Sequence, residues 1–417
     1  MPPITQPIIS GSISAINGDT ASRVNALIAP GEGWSTSPDT SDVFYRFLLP
    51  IAGTFQNLNW RISTAPGAGD TRTLGLRKNS VLTVLTSLIS GTDVVGSNDS
   101  DVVSVDAGDY VTLQSLATGT PASTAAFWGI VFIGSNPVLM GAKGDLTNTV
   151  TTEYSEIIGS RGTWTTSETN KSMLCAGTGT LRNFYVLINR TPGVGAINTF
   201  ALRKNTSTTL LIVSITGSDS SGSDVINTVD INPGDLLSLE NSHTLSPTAT
   251  EASWSFEFVS SIDGECPVLA AATEDDFSAT ATEYNYISGH GTNTGWNPTE
   301  SNRYGIVPTN FTARKLYMRL AADPDNGAGT QSVNMLLRQN TADTVVSAAI
   351  SSGTISAFDI VNTANYLSGD YINWKCVPGS TPTVSNSYYS FVTFIDPGTS
   401  AAVVSSRIST LSLMGCG

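Results

Sequence analysis

The residues best suited to chemistry in this chain are an arginine, an asparagine and an aspartate that recur together. Leu76-Arg77-Lys78-Asn79 returns as Leu202-Arg203-Lys204-Asn205 and, slightly altered, as Leu337-Arg338-Gln339-Asn340. Thirty residues after each Asn stands the Asp of a Gly-Asp pair: Asp109, Asp235 and Asp370. A guanidinium near a carboxylate is raw material for a ligand clamp. Turn chemistry gives a plainer reading, with Arg as a solvated strand-end residue and Asp as a turn former.

Other candidates are sparser. The two histidines, His243 and His290, do not recur, and no His-Glu-x-x-His, Cys-x-x-Cys, Walker or Gly-x-Ser-x-Gly pattern accompanies them. A Ser-His-Asp site through His290 therefore has no local signature. Acidic stretches at 93–101, 217–224 and 274–276 carry oxygen ligands of the kind Ca²⁺ takes, without the ligand spacing of a calcium loop. Trp34, Trp164 and Trp296 form a recurring column that suits either a sugar-stacking platform or, more simply, core or interface packing. No catalytic, cofactor-binding or metal-ligating residue is assigned.

The elements that position these residues are themselves repeated. Nineteen residues beyond each Gly-Asp aspartate comes a large aromatic, Trp128, Trp254 or Tyr389. A Pro-aliphatic segment opens each copy at Pro7, Pro137 and Pro267, a period of 130 residues. That period is domain-sized, far beyond a solenoid unit. The reading is a lead over 1–6, repeats over 7–136, 137–266 and 267–396, and a terminal segment over 397–417 that resembles the opening strand of a fourth unit. That segment either adds a strand to a neighbour or packs on its own third repeat.

Within a repeat, apolar residues alternate with period two, as at Leu85/Leu211/Val346, Ser87/Val213/Ala348 and Ile89/Ile215/Ile350. Asn79 and its equivalents are expected to make the tight turn before this strand. The segment from Pro7 to Ala29 reads as short strands with a hairpin at Asn17-Gly18, and a polar loop is expected to follow the returning strand. No window shows a capped helical period. Each repeat is expected to be all-β, with about eight to ten strands in a sandwich.

Bulk properties narrow the partners. Charged residues make up 13% of the 417, against about 25% in an average globular chain. The net charge of −14 disfavours nucleic acid and anionic membranes as partners. No stretch approaches the ~20 apolar residues of a membrane helix, and the first residues lack the charge and apolar core of a secretion signal. Cys175, Cys266, Cys376 and Cys416 do not recur, Cys175 aligning with Tyr45, so no disulfide framework is expected. A link from Cys266 or Cys416 to another chain stays open.

The Gly-Thr-hydrophobic strand, the Ala65-Pro66-Gly67 turn, Leu-Arg-Lys-Asn, the Gly-Asp turn and the following Trp together resemble C1q/TNF-like jelly-roll modules of phage and viral structural proteins. The pattern is clearest in the first two copies. The third departs from it at Gln339, Tyr389 and an enlarged Asp323–Gly327 turn. The resemblance implies three tandem jelly-roll-like β-sandwich domains that associate in threes, as a homotrimer or as a pseudo-trimer within one chain. The function it implies is non-enzymatic: a virion component such as a capsid decoration, head fibre or tail part, with other virion proteins as partners. A carbohydrate-binding or adhesin protein that meets a host surface glycan is the alternative, and a β-sandwich hydrolase a third class.

Overall fold

The structure is a computed structural model that describes residues 3–30, 33–36, 45–149, 152–160, 163–272, 276–290 and 295–396. Among them the chain is all-β, with two short 3₁₀ turns at Glu168–Asn170 and Glu300–Asn302. Its strands form six sheets that face each other in pairs across three apolar cores. The terminal segment 397–417 lies outside the described residues.

The same topology occurs three times. One sheet runs from the first strand (Ile4–Ile16, Val138–Leu146, Glu265–Ala272) to the closing strand (Thr124–Gly134, Thr250–Ser260, Ser387–Phe394). It continues to a third strand (Gly53–Ile62, Gly179–Ile188, Phe311–Leu320) and ends on an edge strand (Val95–Asn98, Ser221–Asp224, Ser356–Tyr366). The opposite sheet centres on the strand after the Gly-Asp turn (Tyr110–Thr118, Leu236–Thr244, Tyr371–Gly379). That strand pairs with the one ending in the tetrapeptide (Gly67–Lys78, Gly193–Lys204, Ser332–Gln339), whose hairpin partner is the returning strand.

The hairpin forms as its sequence requires. Asn79 and Ser80 have φ of 50° and 65°, and Asn205/Thr206 and Asn340/Thr341 match them closely. Positive φ at both central residues gives a two-residue turn whose twist suits the strands. One residue before Arg the strand bulges, and the hydroxyls of Thr83, Thr209 and Thr344 donate to the carbonyls of Leu76, Leu202 and Leu337 at 2.7, 2.8 and 2.9 Å. The alternating residues of the returning strand are buried in every copy, so the period-two reading holds.

Four expectations need correction. The segment after Pro7 is no hairpin: Ile4–Ile16 joins one sheet and Arg23–Asn25 crosses to the other. The lead is partly sheet, because Ile4–Gln6 pair with Phe132–Gly134. The polar loop contains the edge strands, whose outward Ser and inward Gly residues hid them from an apolar count. Cys175 is equivalent to Leu49 and Val307, not Tyr45. Their amides accept the same role, donating to Asp235, Asp109 and Asp370 carbonyls, because the first copy has a longer segment before this strand.

Neighbouring sandwiches pack in a closed cycle. The short strand Phe47–Leu48 lies on the first, third and closing strands of the second copy. Met173–Leu174 lies likewise on the third copy, and Gly305–Ile306 on the first. Head-to-tail contacts of one kind close a ring when the rotation returns to its start. The closing strands are accordingly buried without interruption, Ala126–Phe132, Ala252–Phe258 and Ser387–Thr393, one face on their own core and one on the neighbour. Burying Phe127, Tyr286 and Ile306 at one seam contributes about 1.5–3 kcal/mol per large apolar side chain. Polar links cross the seams: Gln6 exchanges two hydrogen bonds with Val138 at 2.9 and 2.8 Å, and Ser288 Oγ donates to Ile9 O at 2.6 Å.

The position after the closing-strand aromatic tests this packing. Gly129, Ser255 and Ser390 are equivalent, each pairing with the third strand at Asn59, Tyr185 and Tyr317. A Cβ at Gly129 would overlap the Ile306 carbonyl oxygen. Ser390 Oγ accepts from Ala176 N at 3.1 Å and donates to Val268 O at 2.7 Å, while Ser255 Oγ has no partner among the described residues. In urea unfolding, Gly129→Ala should cost about 1–3 kcal/mol, Ser390→Ala about 0.5–1.5 kcal/mol and Ser255→Ala under about 0.5 kcal/mol. Equal effects at the three positions would refute the assignment of these residues to seams.

Candidate functional site

The recurring Asn and Asp meet in space, a contact the constant spacing could have announced. Asn79, Asn205 and Asn340 donate from Nδ2 to Asp109, Asp235 and Asp370 at 2.6, 2.6 and 2.7 Å. Each Asn Oδ1 accepts the amide after the Asp, at 3.1, 2.9 and 2.9 Å. The other Asp oxygen closes its own turn by accepting the amides of Asp106, Asn232 and Leu367 at 2.7, 2.8 and 2.8 Å. Lys78 and Lys204 sit on the same carboxylates at 2.8 and 2.9 Å, and Gln339 replaces them with a hydrogen bond at 2.7 Å. Burial opposes ionisation of Asp109, but the Asp106 amide, Lys78 and Asn79 together hold its carboxyl below the usual range. This aspartate clasps two turns, with both of its oxygens already engaged.

The arginine is not the solvated residue expected. Arg77 and Arg338 are 4% and 8% exposed, and each Arg of the set donates to a carbonyl inside its own turn, at Ser80, Thr206 and Thr341. Arg203 makes a two-pronged pair with Glu168 at 3.1 and 2.9 Å, and Arg338 with Glu300 at 2.8 and 3.0 Å. Arg77 instead reaches Gln114 at 3.3 Å. The fork geometry of guanidinium suits this double duty, which a lysine would not reproduce.

The remaining candidates are also structural. Trp34, Trp164 and Trp296 are only 8%, 5% and 5% exposed, packed 5.7, 5.6 and 5.7 Å from Trp128, Trp254 and Tyr389, so they offer no face to a sugar. Asp224 of the second acidic stretch accepts the amides of Ile212, Ile226 and Asn227 at 3.0–3.1 Å, and Asp359 repeats the pattern. Burial opposes their ionisation and those amides outweigh it, keeping both carboxyls low. Among the described residues no three His, Cys, Asp or Glu side chains gather as metal ligands. Glu274 and Asp275 lie outside the described residues, as does the His290 side chain. His243 pairs in register with Asn198 and makes no hydrogen bond to a Ser or Asp among the described residues.

Concave surface lies instead at the seams, which no motif had marked. Between the third and first copies, Arg61, Ser63, Phe127, Asn302 and Tyr304 line a cleft of about 420 Å³. Between the first and second, Arg46, Leu187, Asn189, Glu251 and Ser253 line one of about 260 Å³. At the third seam Tyr388 donates to Thr169 O at 2.9 Å and Asn386 to Asn170 at 3.2 Å. The unbroken apolar run Phe127–Ile133 was the available signal, since a strand covered on one face alternates.

Two measurements follow from these placements. Asp109→Ala should destabilise at neutral pH by about 1–2 kcal/mol. Because the folded pKa lies below the unfolded one, the penalty should shrink as pH falls through the folded value, in urea titrations from pH 7 to 3. Burial pushes the Cys175 thiol up to about 12 and raises Cys266 and Cys376 further, and all three are buried. In a Cys416→Ser background, a thiol reagent should modify none of the three until denaturant is added; fast labelling of Cys266 would revive an inter-chain disulfide. Compared with known proteins, the chain matches no family model, and no curated protein is detectably similar to it.

Proposed function

We propose that the chain is a non-enzymatic structural component of a phage or virus particle, such as a capsid decoration, head fibre or tail part. The observation that carries this reading is the head-to-tail packing of three equivalent sandwiches in one polypeptide. Threefold packing of this kind is what the resemblance to C1q/TNF-like jelly rolls implies, supplied here by one chain as a pseudo-trimer. The chain's recurring polar groups are spent on turns and seams, which suits a part selected for shape. Its place would be the virion, assembled in the host cytoplasm, with other virion proteins as partners.

Carbohydrate binding is the second reading, and the aromatic and arginine-lined cleft between the third and first copies favours it. The tryptophan column does not.

Two measurements test the structural reading. Light scattering should give the mass of a single 43.6 kDa chain, unchanged when residues 397–417 are removed. A homotrimer that dissociates on truncation would replace the pseudo-trimer with strand exchange. Quantitative mass spectrometry of density-purified particles should find the chain at a fixed ratio to the main coat protein; recovery only in the soluble fraction would overturn the particle role.

A further inference from the structure

The geometry points to the cleft between the third and first copies as a binding site for an acidic saccharide, a sugar unit that carries a carboxylate. This holds whether or not the chain is a particle component.

Three observations converge on it. Arg61 enters the cleft with no carboxylate partner among the described residues: its guanidinium lies 5.1 Å over the Tyr371 ring and donates to the Tyr371 hydroxyl. In a chain of net charge −14, an uncompensated cation in a concavity is a local focus for an anion. Glu300, the acid next in sequence to the cleft residue Ser301, is engaged with Arg338 at 2.8 and 3.0 Å. Beside Arg61, the half-buried Tyr304 ring lines the cleft, held by stacking on Tyr371 at 4.8 Å and by the buried Phe127 edge-on at 6.3 Å, and supplies an apolar wall for a sugar ring. Ser63 and Asn302 supply the short polar groups that hydroxyls need. The volume of about 420 Å³ fits one or two sugar units.

The other seams are internal controls. Where Arg61 and Ala125 stand in the first copy, the second has Leu187 and Glu251, so its cleft sets a carboxylate beside the cation it does hold, Arg46. In the third copy Arg319 stands at the Arg61 position, and the wall is closed because Tyr388 is bonded across the seam. One of three equivalent seams thus has both an open wall and an unneutralised charge.

Isothermal titration of the full-length protein with glucuronic acid and N-acetylneuraminic acid, against glucose and galactose, tests this. The acidic sugars should bind at least tenfold more tightly than the neutral ones. Arg61→Gln should weaken them at least tenfold. Ala125→Glu, which copies the second seam and leaves the Arg61–Tyr371 contact in place, should do the same with an unchanged near-ultraviolet circular dichroism spectrum. Glu251→Gln should change nothing. Binding that survives Ala125→Glu in the folded protein, equal affinity for neutral sugars, or no binding of either acid would overturn the proposal. Acetate competing as tightly as the sugars would also overturn it, reducing the cleft to an anion site.

Discussion

A β-strand that is buried on both faces needs a cover on each, and the closing strand of each repeat is such a strand. Its inner residues, among them Trp128, Trp254 and Tyr389, fill the core of their own sandwich. Its outer residues must be covered by something else, and the short strand of the preceding copy covers them. Each sandwich therefore needs a neighbour, and each neighbour needs another, until the third returns to the first. The small residues Gly129, Ser255 and Ser390, the Gln6–Val138 exchange and the seam clefts all follow from this requirement.

The repeats conserve interactions more strictly than residues. In the first two copies the indoles of Trp128 and Trp254 donate to Leu27 O and Ile157 O at 2.9 and 3.0 Å. In the third, Tyr389 stands in the Trp position and its hydroxyl accepts from Asn285, while Trp374 on the opposite sheet donates to the equivalent Ile287 O at 3.1 Å. A buried carbonyl left without a donor is costly, so the donor moved sheets when the aromatic changed. Gln339 for lysine follows the same logic, keeping a donor on Asp370.

Much of the fold was legible because it rests on short-range rules. The Asn turn, the period-two burial of Leu85 and its equivalents, and the all-β sandwich could be read from local chemistry. The Arg role was misread because its partners, Glu168 and Glu300, lie 35 and 38 residues earlier on 3₁₀ turns that no strand pattern reveals. The edge strands escaped because Ser221–Asp224 carries no apolar side chain, its pairing being set by backbone hydrogen bonds. The clefts escaped because a seam brings together residues such as Arg61 and Tyr304, separated by almost two repeats. Only the tertiary arrangement places them side by side.

Carrying the three sandwiches on one polypeptide changes how their association responds to dilution. Separate subunits that pack head to tail come apart as concentration falls, by mass action. Here the joins between copies are a few residues long, as at Gly134-Ser135-Asn136, so each sandwich meets its neighbour at an effective concentration fixed by the tether. The seams are then as persistent at one molecule per cell as at crystallisation strength. Freed from the need to be three identical copies, each can also drift in chemistry without unmaking the ring.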